Sequence, residues 1–219
     1  MILDLFSRDY GKVVVVAKGA KRNKSRTGSL LQLHQRLSMA WSGRGEMGTL
    51  TSVESEGRLF NISGHWLITA FYLDELLVRL LHRHEGHPEL FDAYDRALEK
   101  LDRHDPETSL VRAFEVQLLK SLGYGLVLDH DADTGARIDP EKEYYYVINH
   151  GPVITPPADG DYVRVSGSVL EALGTDNYQD ESLMKESKRL TQKLLGCYLG
   201  SRPLGSRELY RAYMQNLSQ

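Results

Sequence analysis

The chain has 219 residues, of which 41% are hydrophobic and 26% charged, and its formal net charge at pH 7 is −3. No apolar run approaches the roughly 18 residues of a membrane span, which argues against an integral membrane protein. The one cysteine, Cys197, excludes an intramolecular disulfide framework and a four-cysteine zinc site, and it fits a reducing cytoplasm. The first residues, MILDLFSRDYGK, are not predicted to be a signal peptide, because they lack a basic segment and Asp4 interrupts the apolar run.

The net charge hides two unlike parts of the chain. Residues 1–60 contain ten Lys or Arg against five Asp or Glu, a net charge of +5, whereas the other residues contain 17 and 25, a net charge of −8. This asymmetry indicates a polyanionic partner for the first part. An ordinary surface with unevenly distributed charge explains the numbers equally well.

Four segments among the first sixty residues are predicted to be β-strands. They are short, rich in β-branched and aromatic residues, and separated by turns that contain glycine: ILDLF, KVVVVAKGA, RLSMAWSG and GTLTSVES. Because an open sheet this small leaves its edges unprotected, the pattern favours a small barrel. The glycines of GRGEMG have the spacing of a dinucleotide-binding loop, but a strand-like segment follows where that loop needs a helix, so we interpret them as turn residues.

The rest of the chain is predicted to be mainly helical. Apolar residues recur at helical spacing in GHWLITAFYLDELLVRLLHR, HPELFDAYDRALEKL and DPETSLVRAFEVQLLKSLGYG, and further helices are expected near 168–173, 180–199 and 205–214. Residues 124–165 lose this period and contain one strand candidate, Tyr144–Ile148. The predicted fold class is therefore α+β in two parts, a β-barrel domain over residues 1–62 and an α-helical domain over residues 63–219 with a small irregular insertion at about 124–165.

Two clusters have the residue types of metal ligands but not the spacing. The histidines of HRHEGH cannot all point to one side of a helix, so a solvated helix end is favoured. Asp129, Asp131 and Asp133 alternate like the first ligands of a calcium loop, but Thr134 and Pro140 stand where that loop needs Gly and Glu, and a solvated turn is the default interpretation. No catalytic motif is present, so we predict neither an enzyme nor a bound metal or cofactor.

The strongest functional signal is the cationic segment that follows the valine strand. Lysines and arginines one to three residues apart in a glycine-containing loop can spread along a phosphate backbone. The predicted DNA-binding residues are Lys12, Lys18, Lys21, Arg22, Lys24, Arg26 and Arg44. Phe6, Tyr10 and Trp41 either stack on unpaired bases or fill the core of the strand region, and for any one of them core burial is favoured.

A second basic set lies on a predicted late helix. Its members, which share one face of that helix or lie next to it, are Lys185, Lys188, Arg189 and Lys193. An amphipathic helix with a basic outer face needs no function to explain it. Because the surrounding domain is acidic, however, this set is a possible second surface for an acidic partner.

These segments together resemble the RecO family of bacterial recombination-mediator and DNA-repair proteins. The similarity runs in family order across nearly the whole chain and is carried by LDLFSRDYGKV, VVAKGAKR, GRGEMGTLTSVES, FYLDELLVRLL, ELFDAYDRAL, VRAFEVQLLKSLGYG, DADTGARIDP and YLGSRPLGSRELYR. The VAKGA segment with its basic residues and the FExxLLxxLGYG segment are together specific.

The resemblance implies an OB-fold barrel joined to a helical domain. It also implies binding of single- and double-stranded DNA, annealing of complementary strands and loading of the RecA recombinase at gaps coated by single-strand-binding protein, without catalytic turnover. The implied partners are RecR, often with RecF, and the acidic C-terminal tail of single-strand-binding protein, in the bacterial cytoplasm at the nucleoid. Arg112 matches the segment where that tail docks, although a surface ion pair on a helix is the alternative.

The sequence departs from the family pattern in two places. A strand of the family that precedes LDLFS has no counterpart here, so we expect a barrel that lacks its first strand. Some relatives carry zinc-binding cysteines in the region matching residues 129–150, where this chain has none, so we expect packing of the tyrosine strand to replace the metal.

Two other functions stay open. The chain is an adaptor if its helical domain tethers partner tails while DNA binding is weak, and it is a metal-dependent enzyme if the histidine or aspartate cluster holds a metal.

Overall fold

A computed structural model describes residues 1–22, 25–43, 45, 47–57, 59–124 and 126–217. The chain packs as two compact units. Unit 1 comprises Met1–Asp105 with Leu204–Gln219, and unit 2 comprises Pro106–Pro203. The predicted α+β organisation, with strands first and mainly helices after them, is confirmed.

Unit 1 contains a four-stranded sheet with the strand order β1-β2-β4-β3. Its strands are β1 (Ile2–Ser7), β2 (Gly11–Val16), β3 (Leu37–Ser42) and β4 (Gly48–Ser55), and a short helix, α1 (Arg26–Leu30), lies between β2 and β3. β1 pairs with β2 and β3 with β4, both antiparallel, whereas β2 and β4 run parallel over a short register. The valine run forms β2, one of the two inner strands, and Val13 and Val15 are 1% and 0% exposed.

The sheet does not close into the predicted barrel within the described part of the chain. β1 and β3 are its two edges and do not pair with each other there. The apolar side of β1 is covered by a helix instead, because Phe6 packs on Phe91 and Tyr94 with ring centroids 5.5 and 5.9 Å away.

Three helices complete unit 1: α2 (Gly64–Leu80), α3 (Pro88–Asp102) and α7 (Gly205–Leu217). Leu73 and Leu76 of α2 and Leu90 of α3 are fully buried. The carboxylate of Glu75 in α2 accepts hydrogen bonds from the backbone N–H of Gly205 and Ser206, both at 3.0 Å, and from the Ser206 hydroxyl at 2.7 Å. Glu75 therefore satisfies the N–H groups at the start of α7, which have no partner inside their own helix.

Unit 2 contains three helices and a small antiparallel sheet. The helices are α4 (Glu107–Ser121), α5 (Gly167–Thr175) and α6 (Glu181–Leu199). The strands are β5 (Glu143–Val147), β6 (Gly151–Val153) and β7 (Tyr162–Ser166), in the order β6-β5-β7. The predicted irregular insertion with one strand is thus a three-stranded sheet. Throughout the described ranges, no helix is long and apolar enough to cross a membrane.

The turn that precedes this sheet is organised by a buried carboxylate. Asp131 is 2% exposed, so the expectation of a solvated turn is wrong for this residue. One carboxylate oxygen accepts from the backbone N–H of Asp133 and Thr134 and from the Thr134 hydroxyl, and the other accepts from the backbone N–H of Ile154 at 3.1 Å. Burial on its own raises the pKa of Asp131, but these hydrogen bonds outweigh it and leave the pKa below its ordinary value.

Two tyrosine hydroxyls hold the same segment from the strand side. Tyr144 and Tyr146 of β5 are both 2% exposed. The Tyr144 hydroxyl accepts from the backbone N–H of Asp139 at 2.9 Å, and the Tyr146 hydroxyl accepts from that of Val127 at 3.2 Å. Side-chain oxygens therefore satisfy backbone donors that a short sheet leaves unpaired.

We predict that Asp131→Asn lowers the free energy of unfolding of unit 2 by about 1–3 kcal/mol, because an amide offers one acceptor oxygen and leaves buried N–H donors unsatisfied. Urea denaturation measures the change. Asp133→Asn is the matched control, since the Asp133 side chain is 61% exposed and pairs with His150 alone among the described residues, and we expect a change within about 0.5 kcal/mol. Equal stability of the two variants would contradict this role of Asp131.

The same carboxylate predicts a pH dependence. Because the folded-state pKa of Asp131 lies below its unfolded value, its stabilising contribution is complete above about pH 4 and is lost as the pH falls through the folded-state pKa. The stability difference between wild type and Asp131→Asn should shrink in that acidic range.

Candidate nucleic-acid interface

In the loop between β2 and α1, which we call the cationic loop (residues 17–26), backbone hydrogen bonds fix the described residues on both sides of residues 23 and 24. Ala17 exchanges two backbone hydrogen bonds with Met1, of 2.8 and 3.1 Å. Gly19 adopts a positive φ of +74°, and its carbonyl accepts from the N–H of Arg22 at 3.0 Å. The Ser25 hydroxyl then accepts from the Gly28 N–H at 3.1 Å and so caps α1.

Glycine at position 28 allows this loop and α1 to pack closely. A Cβ placed on Gly28 would lie 2.1 Å from the carbonyl oxygen of Ala20, a distance that no side chain tolerates. The packing fixes the direction in which the loop leaves β2.

The described cations of the loop are exposed and have no carboxylate partner within the described part of the chain. Lys18, Lys21, Arg22 and Arg26 are exposed, and none of them forms a salt bridge with any residue that the structure describes. Other arginines of unit 1 differ: Arg8 makes two hydrogen bonds to Asp92, both at 3.1 Å, and Arg36 contacts Asp95 at 2.9 Å. The cationic loop thus concentrates the charge of unit 1 that is available to an outside anion.

Three other predicted DNA-binding residues stand apart. Lys24 and Arg44 lie outside the described residues. Lys12 is described, and its ammonium group donates a hydrogen bond to the backbone carbonyl of Val78 in α2. Part of its donor capacity is therefore used within unit 1.

The aromatic residues singled out in the sequence differ in whether they pack inside unit 1 or are accessible for stacking on bases. Phe6 belongs to the interior of unit 1, as its packing on α3 shows. Tyr10 is 57% exposed and lies edge-to-face with Trp41, with ring centroids 5.3 Å apart at 82°. Tyr10 precedes β2 and the cationic loop follows β2, so an exposed tyrosine and the cations are linked by a single strand.

The second basic set is partly neutralised by its surroundings. Lys185 contacts Glu181 at 3.0 Å, Lys193 contacts Asp161 at 3.3 Å, and Arg189 donates to the backbone carbonyl of Arg164 at 2.6 Å. Lys188 is exposed and makes no salt bridge with the residues described here. Charge alone therefore indicates an anion-binding surface less clearly here than it does at the cationic loop.

Arg112 is buried in unit 2 and is not the surface ion pair that the sequence left as its alternative. It is 4% exposed, and its guanidinium donates to the Glu115 carboxylate at 2.9 Å and to the Thr191 hydroxyl at 3.1 Å. The Nε of Arg112 and the buried hydroxyls of Tyr178 and Ser187 have no hydrogen-bond partner among the described residues. Burial, with the nearby Asp176 carboxylate, raises the pKa of Tyr178, so this hydroxyl stays protonated and can donate.

The alternating aspartates do not converge on one point. Asp129 pairs with His130 at 2.7 Å and Asp133 with His150 at 2.8 Å, while the Asp131 carboxylate is turned inward. Across the described ranges, no group of three or more His, Cys, Asp or Glu side chains is arranged to hold a metal ion.

Sequence reasoning identified the cationic loop but missed the polar cluster around Arg112 and the buried role of Asp131. The pattern Asp-x-x-Thr, in which a carboxylate receives N–H groups two and three residues ahead, is the local signal that identifies Asp131 as a turn residue. Thr191 and Ser187, one helical turn apart on the inner side of α6, are the corresponding signal for the cluster.

Comparison with known proteins covers both parts of the chain. Residues 1–57 match the family model "Recombination protein O N terminal", and residues 64–208 match "Recombination protein O C terminal". The chain is also similar to proteins called DNA repair protein RecO from Aromatoleum aromaticum (39% identity, 96% of this chain and 88% of the relative), Nitrosospira multiformis (37%, 98% and 89%) and Methylococcus capsulatus (38%, 97% and 86%). With both family models matched and these relatives aligned over nearly their full length, the chain belongs to the RecO family of DNA repair and recombination proteins.

Proposed function

We propose that this chain is a non-enzymatic recombination mediator that binds DNA, anneals complementary single strands and helps to load the RecA recombinase at gaps coated by single-strand-binding protein. The observation that carries the proposal is the cationic loop, where exposed lysines and arginines have no carboxylate partner within the described part of unit 1. Family membership supports the place of this activity in DNA repair.

The mechanism follows from the charge of DNA. Two single strands repel each other through their phosphates, and bases pair only when that repulsion is offset. Each lysine or arginine that contacts a phosphate releases condensed counterions, which favours binding at low salt. Because these contacts recognise the backbone and carry no sequence information, they serve strands of any sequence.

We further propose that the strands of unit 1 act as an OB-fold-like DNA-binding module. The support is a small sheet with a cationic loop at the end of β2 and an aromatic pair in which Tyr10 is exposed and Trp41 is half-buried. OB-folds combine a basic groove with aromatic rings on which bases stack. Lys12, Lys24 and Arg44 extend the proposed path.

RecR, with RecF, and the acidic C-terminal tail of single-strand-binding protein are the proposed protein partners. Tail binding by unit 2 is also the core of a second candidate function, that of an adaptor. One observation favours it: Arg112 Nε and the Tyr178 hydroxyl are donors without a hydrogen-bond partner among the described residues. A tail carboxylate that reached Arg112 would compete with Glu115 for its guanidinium.

We predict that replacing Lys18, Lys21 and Arg22 together by Ala weakens binding to a single-stranded oligonucleotide. The slope of log affinity against log salt should fall in magnitude by about 2, since each lost phosphate contact removes about 0.7 for single strands. Fluorescence anisotropy over a salt series measures it.

The matched control replaces Arg8, Arg36 and Arg103 by Ala. It removes the same number of positive charges, but each of these arginines already has a carboxylate partner, so the salt slope should stay close to that of wild type. Equal slopes for the two triple variants would place the DNA surface away from the cationic loop.

Tail binding is best tested by changing the peptide, because removal of Arg112 would break its buried salt bridge with Glu115 and destabilise unit 2. We predict that an acidic peptide with a free C-terminal carboxylate binds the wild-type chain about tenfold more tightly than its C-terminal amide. In Arg112→Lys, which keeps the charge but loses the fork of donors, this ratio should fall towards 1.

Isothermal titration of both peptides against both proteins measures the two ratios. Thermal unfolding of Arg112→Lys confirms that the variant is folded. A ratio that is the same in wild type and variant would remove Arg112 from the tail site.

A further inference from the structure

The small sheet of unit 2 presents two tyrosines and an arginine on one face. In the antiparallel register, Tyr145 lies opposite Arg164 and Val147 lies opposite Tyr162. Residues directly opposite in a pair of strands share a face, and alternate residues of a strand share it too. Tyr144, Tyr146 and Val165 point to the other face, where they are 2–3% exposed. Tyr145, Tyr162 and Arg164 therefore lie together on the outward face.

These outward side chains are accessible. Tyr162 is 41% exposed, and the Arg164 side chain is 65% exposed. The rings of Tyr145 and Tyr162 pack edge-to-face, with centroids 5.3 Å apart at 88°. Each ring is thus held in place by the other, and an exposed guanidinium lies beside them.

Helix α6 continues this face with further cations. Arg189 and Lys193, one turn apart, contact Arg164 and Asp161 of the β7 region, so α6 lies along the edge of the sheet. We call the combined surface the tyrosine face; its members are Tyr145, Tyr162, Arg164, Lys188, Arg189 and Lys193.

The tyrosine face differs in charge from the unit that carries it. Residues 106–203 contain ten Lys or Arg and 15 Asp or Glu, a net charge of −5. The tyrosine face has four cations against two acidic neighbours, Glu143 and Asp161, which pair with Arg164 and Lys193. The other two cations, Lys188 and Arg189, form no salt bridge with a carboxylate among the described residues, so they are available to a phosphate backbone.

We infer that the tyrosine face is a second binding surface for single-stranded nucleic acid, with bases stacking on Tyr162 and Tyr145 and phosphates contacting the cations of α6. Aromatic rings interleaved with basic side chains are what an unpaired strand requires, since every base has a face to stack and every nucleotide has a phosphate. The inference rests on the proposed function and adds to it: one chain with two strand-binding surfaces can hold two strands at once.

The test measures binding of a deoxythymidine oligonucleotide to four proteins: wild type, the cationic-loop variant (Lys18, Lys21 and Arg22 to Ala), and the loop variant combined with either Tyr162→Ala or Tyr162→Phe. Because the loop variant retains the tyrosine face, Tyr162→Ala in that background should weaken the remaining affinity about tenfold. Tyr162→Phe keeps the ring and should bind like the loop variant alone. Thermal unfolding confirms that each variant is folded.

The outcomes separate this inference from the proposed function. If the loop variant bound with wild-type affinity, the cationic loop would not be the main DNA surface. The comparison of Ala with Phe at position 162 would still decide the role of the tyrosine face. Equal residual affinity with Ala and Phe at position 162 would overturn the tyrosine face. It would also be overturned if Tyr162→Ala reduced binding of an acidic peptide while DNA binding stayed unchanged, because the surface would then serve a protein partner.

A photo-cross-linking measurement on the wild-type chain gives an independent readout. An oligonucleotide with 5-iododeoxyuridine should cross-link to Tyr145 or Tyr162, identified by mass spectrometry. Cross-links confined to unit 1 would contradict the inference.

Discussion

A lysine or arginine that already pairs with a carboxylate must lose that partner before it can bind a phosphate, whereas an exposed cation without one loses only water and counterions. The presence or absence of such a partner therefore distinguishes the cations that are available to DNA better than their positions in the sequence do. Arg8 and Arg36 are held by Asp92 and Asp95, and Lys12 donates to a backbone carbonyl. The cationic loop retains its charge for an external polyanion, and the proposed annealing activity depends on that difference.

Carboxylates serve a separate purpose in both units, that of satisfying backbone donors. Glu75 accepts three hydrogen bonds at the start of α7, and Asp131 accepts three from the turn before β5 and one from Ile154 after β6. Desolvation opposes both carboxylates, yet the hydrogen bonds are sufficient to keep the pKa of each below its ordinary value. In the insertion, Asp131 and the two buried tyrosine hydroxyls together organise a segment that is too short to have a large apolar core of its own.

Much of the architecture is readable from local pattern. The valine run predicted a strand because β-branched residues favour extended backbone, and the helical periods predicted helices where α2, α3 and α4 lie. Closure of the sheet was not predictable from local pattern, because it depends on whether β1 and β3, which are remote in the sequence, pair with each other. The surface ion pair offered as the alternative for Arg112 was wrong for a similar reason, because the arginine is buried beside Thr191, which is remote in the sequence.

The two candidate binding surfaces also differ in whether the sequence alone predicts them. The cationic loop was visible because its residues are neighbours in sequence and a loop keeps neighbours together. The tyrosine face was hidden, since it arises only when the register of β5 with β7 places Tyr145 beside Arg164 and when α6 lies along the same edge. Alternation within EYYYV shows that its tyrosines must divide between two faces, but not which face is covered.

The most direct test of the central claim is lysine footprinting, in which acetylation of each lysine is measured by mass spectrometry with and without a saturating single-stranded oligonucleotide. The account predicts that Lys18 and Lys21 lose reactivity when the oligonucleotide binds, while Lys100 on α3 and Lys142, which pairs with Asp139 at 3.4 Å, react as in the free protein. Unchanged reactivity of Lys18 and Lys21 in the saturated complex would contradict it.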